Sequence, residues 1–359
     1  MKIRPVKLQT ALALALAAVP AIFAAAPSPA PAAKAAPPAA TIAPNVPTSG
    51  VNGYSALANL VPAPAATPGG PATRRLGSTA FVWEKLFVAP TDVGFRRNVS
   101  DLTTATIEKL EIHISTLNPG QNSHAPHRHG NEEFIVLKEG ALEVGLGGVT
   151  ADVRRTETVG PGAVFFFAAN QYHNVENKGD KPATYLVFNI HTAATPRTPP
   201  DGTPSDPVPA GKLGSVIFDW EKSVAKPTPT GSRRDIFNGA TTTAKNFDCV
   251  VITLDAGYAY GSPTKRPEEQ LLAVKDGLLD VTINGKTERG TPGTIFFIAA
   301  GDEHTVKNAT GQPASYHLFR ITTELTPAAA SNAAAATSNV ERPTFSSAPA
   351  EAADGHVHI

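Results

Sequence analysis

The sequence predicts an all-β chain that contains two copies of one small β-barrel. In the first half of the chain, polar and apolar side chains of one segment share a single parity: His127, His129, Glu133, Ile135 and Leu137. Alternate residues of a strand point to the same face, so this segment indicates a strand that turns polar groups toward a buried interior. A long-range repeat is the second observation, and it indicates that the barrel occurs twice.

The repeat is clearest at the two tryptophans of the chain. Trp83 and Trp220 both stand in the tripeptide Trp-Glu-Lys and lie 137 positions apart (220 − 83). Further along, the offset falls to 131, which takes His173 to His304 (304 − 173). The second copy therefore loses six residues (137 − 131) in a hairpin, where Asn284-Gly285 provides a strong two-residue turn signal.

The histidines and one glutamate of the first repeat have the spacing of metal ligands. On an extended strand, the Cα atoms of His127 and His129 lie roughly 6–7 Å apart with both imidazoles on one face. Glu133 keeps their parity, and His173 is a fourth candidate. Such a set suits iron, manganese, nickel, copper or zinc. The alternative is a histidine-rich surface loop, which a single His-x-His pair would favour but the full spacing does not.

The same residues carry a resemblance to the cupin superfamily. Its first motif, G-x5-H-x-H-x3,4-E-x6-G, is matched, with one extra residue after the opening glycine, by Gly120, His127, His129, Glu133 and Gly140. Its second motif, G-x5-P-x-G-x2-H-x3-N, is matched by Gly162, His173 and Asn177, with Ala168 and Asn170 replacing the proline and the second glycine. The resemblance implies a jelly-roll barrel that binds one divalent metal ion through His127, His129, Glu133 and His173.

With both repeats included, the chain resembles a bicupin, with two tandem germin-like domains. We expect a signal peptide at 1–32, a Pro/Ala-rich spacer at 33–75 and a metal-binding domain at 76–192. A Pro-rich linker at 193–212, a degenerate cupin domain at 213–323 and a disordered tail at 324–359 complete the prediction. Low-complexity ends of this composition bury too little apolar surface to fold.

The second repeat lacks most of the ligands. Thr264, Arg266 and Gln270 stand where the first repeat has two histidines and a glutamate, and only His304 is kept. Arginine stays protonated and cannot bind a metal, so we expect a metal-free second barrel. It is either a decayed copy retained for packing or a site where Arg266 binds an anion with Gln270 and His304. The packing interpretation is favoured because arginine is often structural.

Several further residues of the first repeat are candidates for catalysis. His124 and His113 could support the metal ligands or act as a general base, and His113 is specific to this repeat because its counterpart is Val250. Tyr172 lies beside a strand that is expected to line the cavity. Glu132 has the opposite parity from its neighbour Glu133, so we expect it to face outward.

Composition and the N-terminus bear on partners and address. Lys plus Arg and Asp plus Glu are both 31, and no basic run suggests nucleic acid. A basic start followed by a short apolar run at 11–26 is typical of an export signal and too short for a stable membrane anchor. We therefore expect a periplasmic or secreted protein, either a monomeric bicupin or a homo-oligomer, with a small-molecule ligand or substrate.

Two functions remain open from the sequence. One is a metal-dependent enzyme, for which the resemblance implies oxygenase, decarboxylase or other lyase, or isomerase chemistry. A His/carboxylate site with open neighbouring positions favours dioxygenase-type chemistry among these. The other is a non-enzymatic protein that binds a metal together with a sugar or carboxylate. The fold does not decide between them.

Overall fold

The computed structural model describes residues 58–62, 74–147, 154–200, 203–205 and 207–328. The predicted signal peptide, most of the spacer and most of the C-terminal tail lie outside the described residues. The described part of the spacer includes a short antiparallel ribbon, in which β1 (Leu60–Pro62) pairs with β2 (Arg74–Leu76). Leu76 is buried and its N–H donates to the carbonyl of Thr103, which fixes β2 on the first barrel.

The regular secondary structure of the described residues is β-strand, apart from two single 3₁₀ turns at Trp83–Lys85 and Trp220–Lys222. The remaining strands of the first repeat are β3 (Thr79–Phe81), β4 (Ala89–Thr91), β5 (Gly94–Leu102), β6 (Lys109–Leu117), β7 (Glu132–Glu139), β8 (Leu142–Gly147), β9 (Arg154–Val159), β10 (Val164–Phe167), β11 (His173–Glu176) and β12 (Ala183–His191).

The second repeat copies this order strand for strand. Its strands are β13 (Val216–Phe218), β14 (Lys226–Thr228), β15 (Gly231–Gly239), β16 (Asn246–Leu254), β17 (Glu269–Asp276), β18 (Leu279–Ile283), β19 (Lys286–Gly290), β20 (Ile295–Ile298), β21 (His304–Lys307) and β22 (Ala314–Thr322). Asn284 and Gly285 both have positive φ, 48° and 80°, as the tight turn between β18 and β19 requires.

Each barrel consists of a seven-stranded and a three-stranded sheet, and the seven-stranded sheets exchange their first strands. In the first barrel the orders are β13-β10-β7-β12-β6-β5-β4 and β11-β8-β9. In the second they are β14-β15-β16-β22-β17-β20-β3 and β19-β18-β21. Thus β13 of the second repeat pairs with β10, and β3 of the first repeat pairs with β20. The fold is the predicted all-β pair of jelly-roll barrels, but each barrel contains a strand of the other repeat.

One of three buried apolar clusters is shared by the two barrels. Phe134 of β7 stacks on Phe188 of β12 with ring centroids 4.5 Å apart, and it contacts Phe319 of β22 at 4.3 Å. Phe247 of β16 adds a third contact to Phe134, at 5.0 Å. These rings are buried and belong to both repeats, and each barrel has a further apolar cluster in its own interior.

Glu132 does not face outward as the sequence predicted. It is buried, and its carboxylate accepts hydrogen bonds from the hydroxyls of Thr241 and Thr243 at 2.6 and 2.7 Å. Glu269 makes the equivalent contacts with the hydroxyls of Thr104 and Thr106 at 2.5 and 2.8 Å. Glu132 does point away from the interior of its own barrel, as its parity predicts. That face is covered by the other barrel and not by water, so the predicted solvent exposure was wrong.

The tryptophans explain why the Trp-Glu-Lys tripeptide occurs twice. Trp220 packs against Gly162 in the first barrel, between the guanidinium of Arg234 and the ammonium of Lys275, at 4.3 and 4.4 Å from the ring. Trp83 makes the matching contact at Gly293 in the second barrel, between Arg97 and Lys138. No helix within the described residues has the length and hydropathy that crossing a membrane requires.

Candidate metal centre

Backbone pairing brings the predicted ligands together. His127 and His173 form an antiparallel bridge with two hydrogen bonds, N to O, of 3.1 and 2.9 Å. His129 follows two residues later, and the N–H of Asn170 donates to its carbonyl at 2.8 Å. Asn170 has a φ of 60°, which asparagine tolerates better than most residues, so it can replace the motif's glycine in this turn.

The three imidazoles converge on one point. Ring centroids lie 4.6 Å apart for His127 and His173, 4.9 Å for His129 and His173, and 5.6 Å for His127 and His129. One nitrogen from each ring lies within 4.8 Å of the other two. Glu133 joins this group from the side, with its Oε2 at 3.2 Å from Nε2 of His129. No other three His, Cys, Asp or Glu side chains of the described chain meet this spacing.

Hydrogen bonds hold two of the rings in the orientation that a metal ligand needs. Nδ1 of His129 donates to the carbonyl of Asn131, and Nδ1 of His173 donates to the carbonyl of Gln171, both at 2.9 Å. In a neutral ring Nε2 then carries the lone pair. Nε2 of His173 is buried and has no hydrogen-bond partner. A buried acceptor without a partner is costly, and a divalent metal would fit it.

The charges of the site also suit a cation. Burial raises the pKa of Glu133, but the hydrogen bond from His129 and the nearby histidines outweigh it and lower that pKa to about 2. Burial lowers the pKa of His173 to about 3, with the neighbouring imidazoles adding to the effect. At neutral pH the site therefore presents an anionic carboxylate and a neutral imidazole, which are the forms that bind metals.

His129 shows what a metal would replace. Its two ring nitrogens face acceptors on both sides, the carbonyl of Asn131 and the carboxylate of Glu133. Burial lowers the pKa of His129, but the contact with Glu133 more than compensates and the pKa is raised. Glu133 therefore favours a proton on Nε2 of His129. A metal cation would take the place of that proton.

A cavity of about 430 Å³ opens above the three imidazoles. Its walls combine polar side chains, including His113, Glu111 and Asn189, with apolar ones such as Phe167 and Val187. This mixture suits a small organic molecule whose polar end approaches the metal position.

The three catalytic candidates lie in different places. His113 lines the cavity, and its Nδ1 lies 2.8 Å from Oε1 of Glu111. His124 is exposed and also lines the cavity, with its ring centroid 5.1 Å from that of His127. Tyr172 is not among the lining residues. Its hydroxyl donates to the carbonyl of Thr203 in the linker at 3.3 Å, so the expectation that it lines the cavity is corrected.

The inter-domain linker packs on the segment that carries His127 and His129. Between these histidines, Arg128 donates to the carbonyls of Pro200 and Pro204 at 2.8 and 2.5 Å. Next to His129, the N–H of Gly130 donates to the hydroxyl of Thr198 at 2.8 Å. A Cβ at Gly130 would lie 1.9 Å from the carbonyl oxygen of Pro196, so only glycine permits this approach. The linker therefore fixes the ligand segment from outside.

Sequence reasoning missed the polar network around His113. Glu111 accepts from His113, from Asn189 at 2.7 Å and from Arg96 at 3.1 Å. Burial raises the pKa of Glu111, but the bond from His113 and its other partners lower it overall. One signal was available: Glu111 has the same parity as His113 on β6, which predicts that both face the cavity.

The second barrel keeps the backbone of the site and changes its chemistry. Thr264 and His304 form the same bridge, with hydrogen bonds of 3.0 and 2.9 Å. The side-chain amide of Gln270 donates through Nε2 to Nε2 of His304 at 3.1 Å. No three-ligand group occurs among the described residues of this barrel, whose own cavity measures about 240 Å³.

Comparisons with known proteins agree with the two-barrel fold. The cupin domain family matches residues 113–189 and 250–320, one segment in each repeat. No curated protein matches the chain. The structure of oxalate decarboxylase from Bacillus subtilis at pH 4.6 is 12% identical, with a TM-score of 0.52, and the match covers 69% of this chain and 77% of that one.

Two further solved structures give the same result. One, from work on the Mn(II) centres of the Bacillus subtilis oxalate decarboxylase, is 13% identical over 69% of this chain and 78% of that one, with a TM-score of 0.52. Another, from work on the substrate binding mode of oxalate decarboxylase, is 12% identical with the same coverage and TM-score. At this identity the likeness concerns the fold alone. Each repeat thus contains a cupin domain, and the chain has the two-domain organisation of a bicupin.

Proposed function

We propose that this bicupin is an exported metalloenzyme that acts on a small organic molecule in its first barrel. The observation that carries the proposal is the convergence of three imidazoles beneath a cavity of about 430 Å³. His127, His129 and His173 would hold the metal, and Glu133 would complete the set. A bound iron or manganese ion would supply Lewis acidity and, with open coordination positions, reactivity toward dioxygen.

Groups of the protein itself support proton transfer in this cavity. Glu111 accepts the Nδ1 proton of His113, which leaves Nε2 of that ring to exchange a proton with a bound molecule. Asn189 donates to the other carboxylate oxygen and so fixes the orientation of Glu111. An oriented His–Glu pair of this kind, with the glutamate buried, is more than metal storage requires. It favours an enzyme over a protein that only binds a metal and a small ligand.

Among the possible reactions, we propose dioxygenase-type chemistry first. A metal held by these three imidazoles and one carboxylate would keep open positions for dioxygen and a substrate. The shared fold with oxalate decarboxylases makes decarboxylation the second candidate. Both reactions would use the same metal position and His113. They differ in whether dioxygen is consumed or carbon dioxide is released, so one assay that records both gases can separate them.

Metal analysis of the purified protein tests the site itself. Wild type should contain about one equivalent of metal, His127→Ala should lose it, and His304→Ala should keep it, because only the first barrel has three converging nitrogens. Inductively coupled plasma mass spectrometry on the three proteins gives the answer. Equal metal loss in both variants would contradict the assignment of the site to the first barrel.

An activity screen tests the reaction. Iron- and manganese-loaded protein is offered phenols and small mono- and dicarboxylates, oxalate included, while dioxygen uptake and carbon dioxide release are recorded. We expect uptake of dioxygen. His113→Val, which installs the residue of the second barrel, should lower turnover roughly 10²–10⁴-fold with the metal retained. Tyr172→Phe is the control and should change neither the turnover nor the metal content. Stoichiometric metal without turnover of any compound would favour the binding function.

Export is a separate part of the proposal, supported by the basic start and apolar run of the N-terminus. The full chain, expressed in a bacterial host, should appear in the periplasm or medium with its first residues removed. Cell fractionation followed by N-terminal sequencing checks both points. Uncleaved protein confined to the cytosol would contradict export.

A further inference from the structure

The second barrel contains a buried hydroxyl that nothing in the structure satisfies. Tyr316 lines the cavity of this barrel and is fully buried, and its hydroxyl has no hydrogen-bond partner. Its counterpart in the first barrel, Tyr185, is hydrogen-bonded to Ser115 and Ser123. At the repeat offset these serines become Ile252 and Tyr260. The second barrel has therefore lost the partners but kept the hydroxyl, which is costly unless a ligand accepts its proton.

The same cavity has a surplus of positive charge. Two guanidinium groups, of Arg266 and Arg320, line it, and no carboxylate is among its lining residues. Arg320 is bound through Nη1 to Asp248, but its Nε is buried without a partner. Arg266 is exposed and stands where the first barrel has His129. Burial lowers the pKa of His304 in this cavity, and both arginines lower it further, which agrees with an electropositive interior.

Apolar side chains form part of the remaining wall, beside polar ones such as Gln270 and His304. Leu272, Ile298 and Leu318 are buried and line it. Its volume of about 240 Å³ would hold roughly eight water molecules at ~30 Å³ each, too little for most drug-sized ligands. Inorganic phosphate would use the cationic end and leave the apolar walls uncovered. A small organic acid would use both.

We propose that the second barrel is a metal-free binding site for a small organic monocarboxylate. The carboxylate accepts hydrogen bonds from Arg266, from Nε of Arg320 and from the hydroxyl of Tyr316, while its hydrocarbon part packs against Leu272 and Leu318. This goes beyond the reaction proposed for the first barrel and replaces the interpretation of the second repeat as a copy retained for packing. The substitutions that removed the metal site then created an anion site at the same backbone position.

Calorimetric titration of the full chain tests the proposal, with acetate, isobutyrate and benzoate as probes. His127→Ala should bind about one equivalent of isobutyrate or benzoate, and the wild type should contain a site of equal affinity, because this site does not use the first barrel. Isobutyramide, which has the same shape but no charge, should bind roughly 10–100-fold more weakly. Inorganic phosphate should bind more weakly than isobutyrate.

Two variants locate the site. Arg266→Gln removes an exposed cation without disturbing the core and should weaken isobutyrate binding roughly 10–100-fold. Tyr316→Phe keeps the ring and should weaken it about 2–10-fold, whereas the matched change Tyr185→Phe in the first barrel should leave it unchanged. The proposal is overturned if no carboxylate binds, if His127→Ala abolishes binding, if Arg266→Gln leaves it intact, or if phosphate binds more tightly than isobutyrate. His127→Ala separates this outcome from any failure of the metal site.

Discussion

At the scale of single residues, the two buried glutamates show how an ionisable group serves the contact between barrels. Glu269 is buried against Thr104, Ala105 and Thr106 of the other repeat, with hydrogen bonds from both hydroxyls and from the N–H of Ala105 at 2.9 Å. Burial raises its pKa, and the hydrogen bonds from Thr104, Ala105 and Thr106 only partly reverse this. The charged form is thus less stable in the folded protein than in water.

This raised pKa predicts how stability depends on pH. The folded state binds the proton of Glu269 more tightly than the unfolded state, so the contribution of this group to stability is largest below its ordinary pKa and falls as pH rises through the raised value. Glu269→Gln, which resembles the protonated acid, should therefore flatten the decline in melting temperature as pH rises from about 4.5. Differential scanning calorimetry at several pH values measures the melting temperatures of both proteins.

Glu303→Gln, at an exposed position, is the matched control for this change and should follow the wild-type profile. If the Glu269→Gln profile coincides with that of wild type, the carboxyl of Glu269 is not a source of the pH dependence.

The candidate site could be predicted from the sequence as far as spacing determines it. His127, His129 and His173 meet because a strand and a bridge place them so, and motif spacing encodes both. Parity on β6 could have indicated Glu111, but not the contact that Asn189 makes with it. Asn189 reaches Glu111 across the pairing of β12 with β6, and a sequence without coordinates does not state which strands are neighbours.

At the scale of elements, the tryptophan contacts depend on glycines in the left-handed region. Gly293 has a φ of 97°, and a Cβ there would lie 2.5 Å from Trp83. Gly285 has a φ of 80°, with no atom near its Cβ position. Alanine at either position costs about 1–2 kcal/mol in backbone strain. Only alanine at 293 would also displace an aromatic ring, that of Trp83.

Gly293→Ala should therefore lower the free energy of unfolding by more than Gly285→Ala does. The difference should be on the order of 1–3 kcal/mol, the usual cost of forcing extra volume into a packed contact. Urea denaturation of both variants beside wild type measures the two values. Equal losses would show that Trp83 can move aside without cost.

The exchange of β3 and β13 marks the limit of prediction at this scale. The sequence indicates two equal repeats, and the structure agrees strand for strand, yet the first strand of each repeat lies in the other barrel. A strand's composition predicts that it pairs but not with which edge, because backbone hydrogen bonds are the same in either place. The linker's role was hidden for a similar reason, since Arg128 binds backbone carbonyls that any residue would offer.

At the scale of the whole molecule, the exchanged strands and the shared phenylalanine core couple the barrels. Phe134, Phe247 and Phe319 come from both repeats and contact one another, so unfolding of one barrel would expose the half of this shared cluster that the other barrel contributes. The protein should therefore unfold in a single cooperative transition in spite of its two repeats. Scanning calorimetry should give a calorimetric enthalpy close to the van't Hoff value. Two separate transitions would contradict this coupling.

The crossing of the opening strands also bears on how the two repeats could diverge. A lone repeat could complete these sheets only by trading its arm with a second, identical polypeptide, as domain-swapped dimers do. In this protein the strands are exchanged between two repeats of the same polypeptide, which are covalently linked. The first barrel uses two parts of the second repeat: strand β13 (Val216–Phe218), which pairs with β10, and the aromatic rings of the shared cluster. Neither part depends on the residues that bind metal. The second half was thus free to give up its ligands while it still completes the first.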